Sequence, residues 1–374
     1  MGGLPFFLPM RRFSLRMATE NFDMTDDRRD VSRREFIQTA AMAAGVLGTA
    51  GTIRAAVSAA DIKIGLYSIT YGGVWYRGDA LSVEQVIQRA RKFGYQGVEI
   101  DGKRPHGNPL DMPKARCQQL RKMAADLGLE IYAVAGNNDF SSPIPEHRES
   151  QLVYLRELMR MTTDLGAKVV RVFLGWPGVT LKPEGGGRYD IARDVWKAEH
   201  KDFTDEQTWA WCRQGLVEAS RLAGDFGITL ALQNHPPVIN KGYIDVLKMV
   251  KEVGSPHLKV CFDARLEHSL DEAAVRKGLN EVGALQTLWH YGGEYDKGPN
   301  GITLKGDEKA LAEVLGLLDI GYKGWAGFEL CHPLPVVNGQ TVGIDFVDKN
   351  AQLALEYMRG IIAEAKKQHA GHIG

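Results

Sequence analysis

One phrase recurs seven times along this chain: a helical stretch closes on a hydrophobic residue, a glycine follows, and a new strand-like run begins. The copies are KFGYQGVEI, DLGLEIYAV, DLGAKVVRVFL, DFGITLALQ, EVGSPHLKVCF, EVGALQTLWH and DIGYKGWAGFEL. A glycine just past a helix takes the left-handed conformation that ends it without steric cost. Gly94, Gly128, Gly166, Gly227, Gly254, Gly283 and Gly321 therefore mark seven helix ends, and IKIGLYS adds an opening strand, making eight. The intervening stretches carry apolar residues at helical spacing, as in Val83, Val86, Ile87, Ala90 and Phe93, and the last runs from about Phe346 to Lys367. Eight strands alternating with eight helices over residues 61–374 predict an α/β chain closed into a single-domain (β/α)8 barrel. An open, doubly wound sheet is the alternative, but no glycine-rich phosphate fingerprint follows any strand.

The connections are unequal. Helix-to-strand links are a few residues long, whereas the strand-to-helix links at 102–111, 177–204, 295–306 and 332–345 are long and rich in Gly, Pro and charge. That asymmetry places the working face at the C-terminal ends of the strands. The longest, 177–204, reads as a lid or rim, with an idle surface insertion as the other reading.

Residues 1–60 differ in kind. Arg33 and Arg34 precede a weakly apolar, Ala/Gly-rich run and a small-residue stretch near Ala60, which resembles a twin-arginine export signal. The expectation is a signal and extension over 1–60, a barrel over 61–374, passage through the twin-arginine export machinery, and a periplasmic or otherwise exported location. The apolar run is too short and too rich in Gly and Ala for stable membrane insertion. Basic and acidic side chains number 46 each in the whole chain, and 38 and 40 after residue 60. Such balance gives no field for nucleic acid, so the expected partner is a small molecule. Cys117, Cys212, Cys261 and Cys331 read as buried thiols rather than a disulfide framework.

In a barrel, the residues that end the strands decide the chemistry. The fifth strand ends LALQNH, the sixth KVCFDA, the seventh TLWHYGGE and the eighth AGFELCHP, so Gln233, Asp263, His290 and Glu329 arrive from four neighbouring strands. Period two puts Gln233 and His235 on one face and Asn234 on the other. A mixed oxygen and nitrogen set suits Mn²⁺ or Mg²⁺, with Zn²⁺ or Co²⁺ also compatible. The plain alternative is that these residues are polar because strand ends meet solvent.

With these strand ends, and with GYQGVEI, ITLALQNH, LKVCFDA and AGFEL as its best segments, the chain after Asp61 resembles the xylose isomerase-like superfamily of TIM-barrel sugar isomerases and epimerases. The resemblance implies that Glu, Asp, His and Glu at the ends of strands five to eight hold one divalent metal, which binds a sugar carbonyl and hydroxyl while the two glutamates exchange protons. Asp263, His290 and Glu329 match that pattern; Gln233 does not. An amide oxygen can ligate a metal but cannot act as a carboxylate base. A second departure is Leu266, where a histidine is common; Arg265 and His268 lie nearby.

What remains implied is proton abstraction next to a sugar ketone, leading to isomerisation, elimination or hydration. Glu329 would serve as ligand and base, and His235 as substrate ligand or acid. Some relatives act on 3-keto-sugars and 3-keto-glycosides, which suits an exported protein. Glu99, His106, Asn137, Trp176, Arg265 and Lys305 are the expected substrate-binding groups, with Glu99 alternatively a buried partner of Arg171. Trp176 and Tyr291 read either as sugar-stacking rings or as packing under the loops. The other function class is a non-catalytic sugar-binding barrel with a degraded metal site. Barrel endonucleases that cut at abasic sites resemble the fold but need more ligands and a basic groove.

Overall fold

The computed structural model describes residues 62–182, 186–267, 271–305 and 309–371. The arginine pair and the expected boundary at residue 60 lie outside the described residues.

Eight parallel strands form one curled sheet among the described residues. They are β1 (Lys63–Tyr67), β2 (Gly97–Asp101), β3 (Glu130–Ala135), β4 (Val169–Val172), β5 (Thr229–Gln233), β6 (Leu258–Cys261), β7 (Trp289–Gly292) and β8 (Trp325–Glu329). Their order is β6-β5-β4-β3-β2-β1-β8-β7, so β6 and β7 are the two ends of the ladder. Those ends meet: Thr287 N donates to Val260 O at 2.9 Å, and the Gln286 side chain bonds both the N–H and the carbonyl of Phe262. The seam thus closes through an amide side chain where strand pairing stops.

Eight helices follow the strands in turn: Val83–Phe93, Lys114–Asp126, Pro145–Leu165, Asp205–Phe226, Tyr243–Val253, Glu272–Val282, Ala310–Asp319 and Ile344–Gly371. Capping boxes start two of them, Ser82 with Gln85 and Thr204 with Gln207, each satisfying two orphan backbone donors. All seven predicted terminator glycines have positive φ, from 55° at Gly283 to 96° at Gly94. Apolar residues on the inner helix faces and outer strand faces form the main core, including Val86, Ile87, Leu120, Leu158, Leu216, Val246 and Met358.

The lumen is plugged near its base by Tyr132, whose ring stacks on Trp325 at 4.3 Å with an 8° interplanar angle. Gly65 on β1 and Gly327 on β8 make room for it, since a Cβ at either position would run into the Tyr132 ring or hydroxyl. The long links form a rim. Within 177–204 are a short hairpin (Thr180–Leu181 with Gly187–Arg188) and a helix, Asp190–His200. Glu294–Gly298 and Gly301–Lys305 form a second hairpin, and Val336–Val337 with Gln340–Thr341 a third. Cys117, Cys212 and Cys261 are buried thiols as expected; Cys331 is only half-buried, because it faces the mouth.

Candidate functional site

Above the Tyr132 plug, five buried side chains close a ring of hydrogen bonds. Arg171 on β4 donates from Nε to Glu99 Oε1 at 3.2 Å and from Nη1 to Gln233 Oε1 at 2.7 Å. Gln233 Nε2 donates to Asp263 Oδ2. Asp263 Oδ2 lies 3.1 Å from His290 Nδ1, and His290 Nε2 lies 2.8 Å from Glu99 Oε2, which completes the circuit. None of the five is more than 3 % exposed. Burying charge this deeply is tolerable only because each group has a partner.

Both ring nitrogens of His290 face carboxylates, so the geometry calls for an imidazolium. Burial works against that charge, but Glu99 and Asp263 outweigh it and hold His290 above its ordinary range. Burial likewise pushes Glu99 up, and His290 with Arg171 brings it below the usual carboxylate value. Asp263 is lowered in the same way, chiefly by His290 against burial. With His290 protonated the ring holds two cations, two carboxylates and one amide, and is formally neutral.

The strand ends are pinned by backbone contacts. Asp263 Oδ1 accepts from His290 N at 2.8 Å, tying β6 to β7 across the seam. Asn234 points away from the lumen, as its parity requires. It grips the Asp263 main chain, accepting from the N–H at 2.9 Å and donating to the carbonyl at 3.1 Å.

Directly above lies a cavity of about 730 Å³ at the C-terminal mouth. Gln233, His235, Arg265 and Glu329 line it, whereas Asp263 and His290 are sealed beneath, each 0 % exposed. Glu329 forms an ion pair with Arg265 rather than joining the ring. His235 Nδ1 is 2.6 Å from the Pro236 carbonyl, so that nitrogen carries the proton and Nε2 is left as an acceptor. Burial, with Arg171, Arg193 and Arg265 adding to it, holds the imidazole at about 4 despite that bond. Neutral His235, on the cavity wall, offers Nε2 as a hydrogen-bond acceptor for a ligand.

Of the groups expected to bind substrate, Asn137, Trp176, Arg265 and Lys305 line the cavity. Glu99 does not, because Arg171 and His290 hold it inside the ring, the alternative already evident in the sequence. His106 is not brought to the cavity either: its imidazole is buried with Nε2 3.0 Å from the Leu81 carbonyl. Tyr291 packs in the core against Trp289 and Phe328, so it is no sugar platform. Phe173, Trp176 and Tyr189 instead form a continuous aromatic wall, with centroid spacings of 5.0 and 6.3 Å. The link 177–204 is a rim, since Val179, Tyr189 and Arg193 line the cavity.

Sequence reasoning missed the full part played by Arg171, although a lone arginine inside VVRV was its signal. It also missed Lys103 and Arg193, which sit in links whose direction the sequence does not fix.

The donor chemistry fits a divalent cation in part. One atom each of Cys261, Asp263 and His290 lies within 4.8 Å of the others, a possible metal site. Gln233 touches Asp263 but gives its carbonyl oxygen to Arg171, and Glu329 gives an oxygen to Arg265.

The family described as "Xylose isomerase-like TIM barrel" matches residues 87–359. No curated protein matches the sequence. Among solved structures, D-psicose 3-epimerase from Clostridium cellulolyticum H10 is similar, with 18 % identity, a TM-score of 0.60, and coverage of 80 % of this chain and 99 % of the other. An L-ribulose 3-epimerase aligns at 17 % identity and TM-score 0.59, covering 84 % and 98 %. A 3-keto-D-glucoside 4-epimerase from E. coli aligns at 15 % and 0.55, covering 82 % and 100 %. At such identities the likeness is one of fold.

Proposed function

The chain belongs to the xylose isomerase-like TIM barrel family, and from that premise we propose that it is a divalent-metal-dependent sugar isomerase or epimerase that removes a proton next to a ketone. The observation that carries this reading is the convergence of Gln233, Asp263, His290 and Glu329, from four consecutive strands, at and just below the floor of an aromatic-lined cavity. Asp263, His290, Gln233 and Glu329 would hold the ion. The oxygen-rich set favours Mn²⁺ or Mg²⁺, with Zn²⁺ and Co²⁺ as alternatives. When bound, the metal supplies electrophilic pull on a substrate carbonyl oxygen.

The chain's own residues do the rest. Glu329, at the end of β8, would take the proton, and Arg265 orients it. Gln233 can neither take nor give a proton, so Glu329 would return the proton it takes, and His235, which shares Gln233's face of the chain, would accept a hydrogen bond from a substrate hydroxyl at Nε2. Trp176, stacked on Phe173, lines the cavity and would give a sugar ring an apolar contact and help keep water from the carbanion. A 3-keto-sugar or 3-keto-glycoside is the substrate we favour, acting outside the cytoplasm after export through the Arg33–Arg34 signal. Fusing residues 1–60 to a reporter that matures only after twin-arginine transport tests the export: loss of transport in Arg33→Lys/Arg34→Lys supports it, and transport unaffected by the substitutions removes it.

Incubating the protein with Mn²⁺ and a panel of ketohexoses and 3-keto-glycosides, with products followed by NMR, tests the activity. Epimer or isomer formation supports the reading; elimination or hydration products would move it to a lyase or hydratase. The second reading, a sugar-binding barrel without turnover, is favoured by the self-satisfied ring and by the amide at position 233. Saturable sugar binding with no product across the panel would establish it.

A further inference from the structure

Cys261 is not placed like an ordinary core thiol. It is the last residue of β6, two before Asp263, so strand parity turns both side chains into the lumen. There it packs beside the Tyr132 plug, with Ala133, Ala231 and Leu288 around it. Its polar neighbours are two of the residues expected to hold the ion. Sγ lies 3.6 Å from Asp263 Oδ1 and 3.5 Å from His290 Nδ1, and Asp263 Oδ2 lies 3.1 Å from the same nitrogen. Ligands about 2.0–2.3 Å from one tetrahedral ion stand about 3.5 Å from each other, close to the separations found here.

Glu99 decides which nitrogen of His290 faces an ion. Its Oε2 is 2.8 Å from Nε2 and accepts that N–H, while Arg171 holds its other oxygen. A carboxylate behind a histidine fixes the ring and leaves the opposite nitrogen, here Nδ1, to a metal. Gln233 and Glu329 are less ready to ligate, since Gln233 Oε1 accepts from Arg171 and Glu329 pairs with Arg265. One sulfur, one nitrogen and one carboxylate oxygen therefore form a compact donor set, all within 4.8 Å of one another.

We propose that Cys261 is a thiolate ligand of the bound ion, beside His290 Nδ1 and Asp263, and that it shifts the site's preference from Mn²⁺ and Mg²⁺ toward Zn²⁺, with Co²⁺ as a close substitute. This rests on the reading that an ion occupies the strand-end site, and it narrows which ion that is. Coordination replaces the Sγ–H and Nδ1–H bonds with bonds to the metal; both protons leave for solvent, and the Nε2–H stays on Glu99. A thiolate adds affinity for Zn²⁺ and little for Mn²⁺ or Mg²⁺, whose shells are built from oxygen. Gln233, Glu329 or a substrate oxygen completes the shell.

Loading the full-length protein with Co²⁺ and recording its absorption tests this. A near-ultraviolet sulfur-to-cobalt charge-transfer band is expected. It should vanish in Cys261→Ser and persist in Cys331→Ser, which removes the half-buried thiol at the cavity mouth. In competition titrations, Cys261→Ser should weaken Zn²⁺ binding at least about tenfold more than Mn²⁺ binding, a difference of about 1.4 kcal/mol. Cys261→Ala serves if the serine variant does not fold, and the parent spectrum can refute the proposal without either. Bound Co²⁺ with no such band, a band lost in Cys331→Ser instead, or equal losses of Zn²⁺ and Mn²⁺ affinity overturns the proposal while the metal-dependent reading stands. The band without turnover of any keto-sugar would keep the ligand assignment and remove the isomerase. Binding of none of these ions overturns both.

Discussion

Gln233 is engaged at both ends of its amide, accepting from Arg171 and donating to Asp263. A carboxylate could keep the first bond but would face Asp263 with like charge. Gln233→Glu should therefore destabilise the metal-free protein by about 1–3 kcal/mol. The same change adds a charge to the proposed ion site. The gain in melting temperature on adding Mn²⁺ should then be larger in the variant than in the parent; an equal or smaller gain would separate position 233 from metal binding. Arg171 tests the ring from the other side. Arg171→Met leaves Glu99 buried beside a lost cation and should cost about 3–5 kcal/mol in urea unfolding, as breaking one side of a buried pair does. A cost below about 1 kcal/mol would mean that the ring does not order the lumen.

His106 gives a pH prediction at the same scale. Burial holds its imidazole below the ordinary value, outweighing Asp101 and the Leu81 bond. The unfolded chain then binds the proton more readily than the native one. His106 contributes stability above its unfolded value near 6.5, and that stability is lost as pH falls below it. His106→Gln keeps a donor for Leu81 and should flatten the slope of unfolding free energy between pH 6.5 and 5. An unchanged slope would move the effect to other groups.

At the scale of elements, the barrel was legible because helix termination is local: a glycine, a hydrophobic residue before it and a β-branched run after it lie within a few residues of one another. The strand-end residues were legible for the same reason. The ring was not. Arg171 meets Glu99 and Gln233 across 72 and 62 residues of sequence, and only strand register brings them together. The rim hairpins were hidden too, because their strands are short and exposed, without the apolar run that marks a barrel strand. Loop position alone drew His106 toward the mouth, although its backbone turns the ring into the core.

The lumen plug is an element-scale device that can be broken cleanly. Tyr132 from β3 occupies space left by Gly65 on β1, and a Cβ there would overlap the ring. Gly65→Ala should cost about 1–3 kcal/mol through overpacking. Because the penalty comes from one clash, it should be smaller in a Tyr132→Ala background. Denaturant unfolding of the four proteins in a double-mutant cycle checks the coupling. Strict additivity would show that the ring is not what excludes a side chain at 65.

Across the whole molecule, the scaffold delivers Gln233, Asp263, His290 and Glu329 to one end of the barrel, with an aromatic and cationic cavity over them. Two guanidiniums already hold Gln233 and Glu329. Proton abstraction therefore requires that these contacts give way when the site is loaded, leaving Glu329 free to take a proton from carbon. Solvent deuterium incorporation reports that step without depending on which product accumulates. The protein is incubated in D₂O with Mn²⁺ and a panel of keto-sugars, and exchange is read by NMR at the carbons flanking the ketone. Exchange is expected at one such carbon of at least one substrate, lost on chelating the metal and reduced by at least about a hundredfold in Glu329→Gln. No exchange anywhere on the panel, or exchange that persists at full rate in Glu329→Gln, would contradict it.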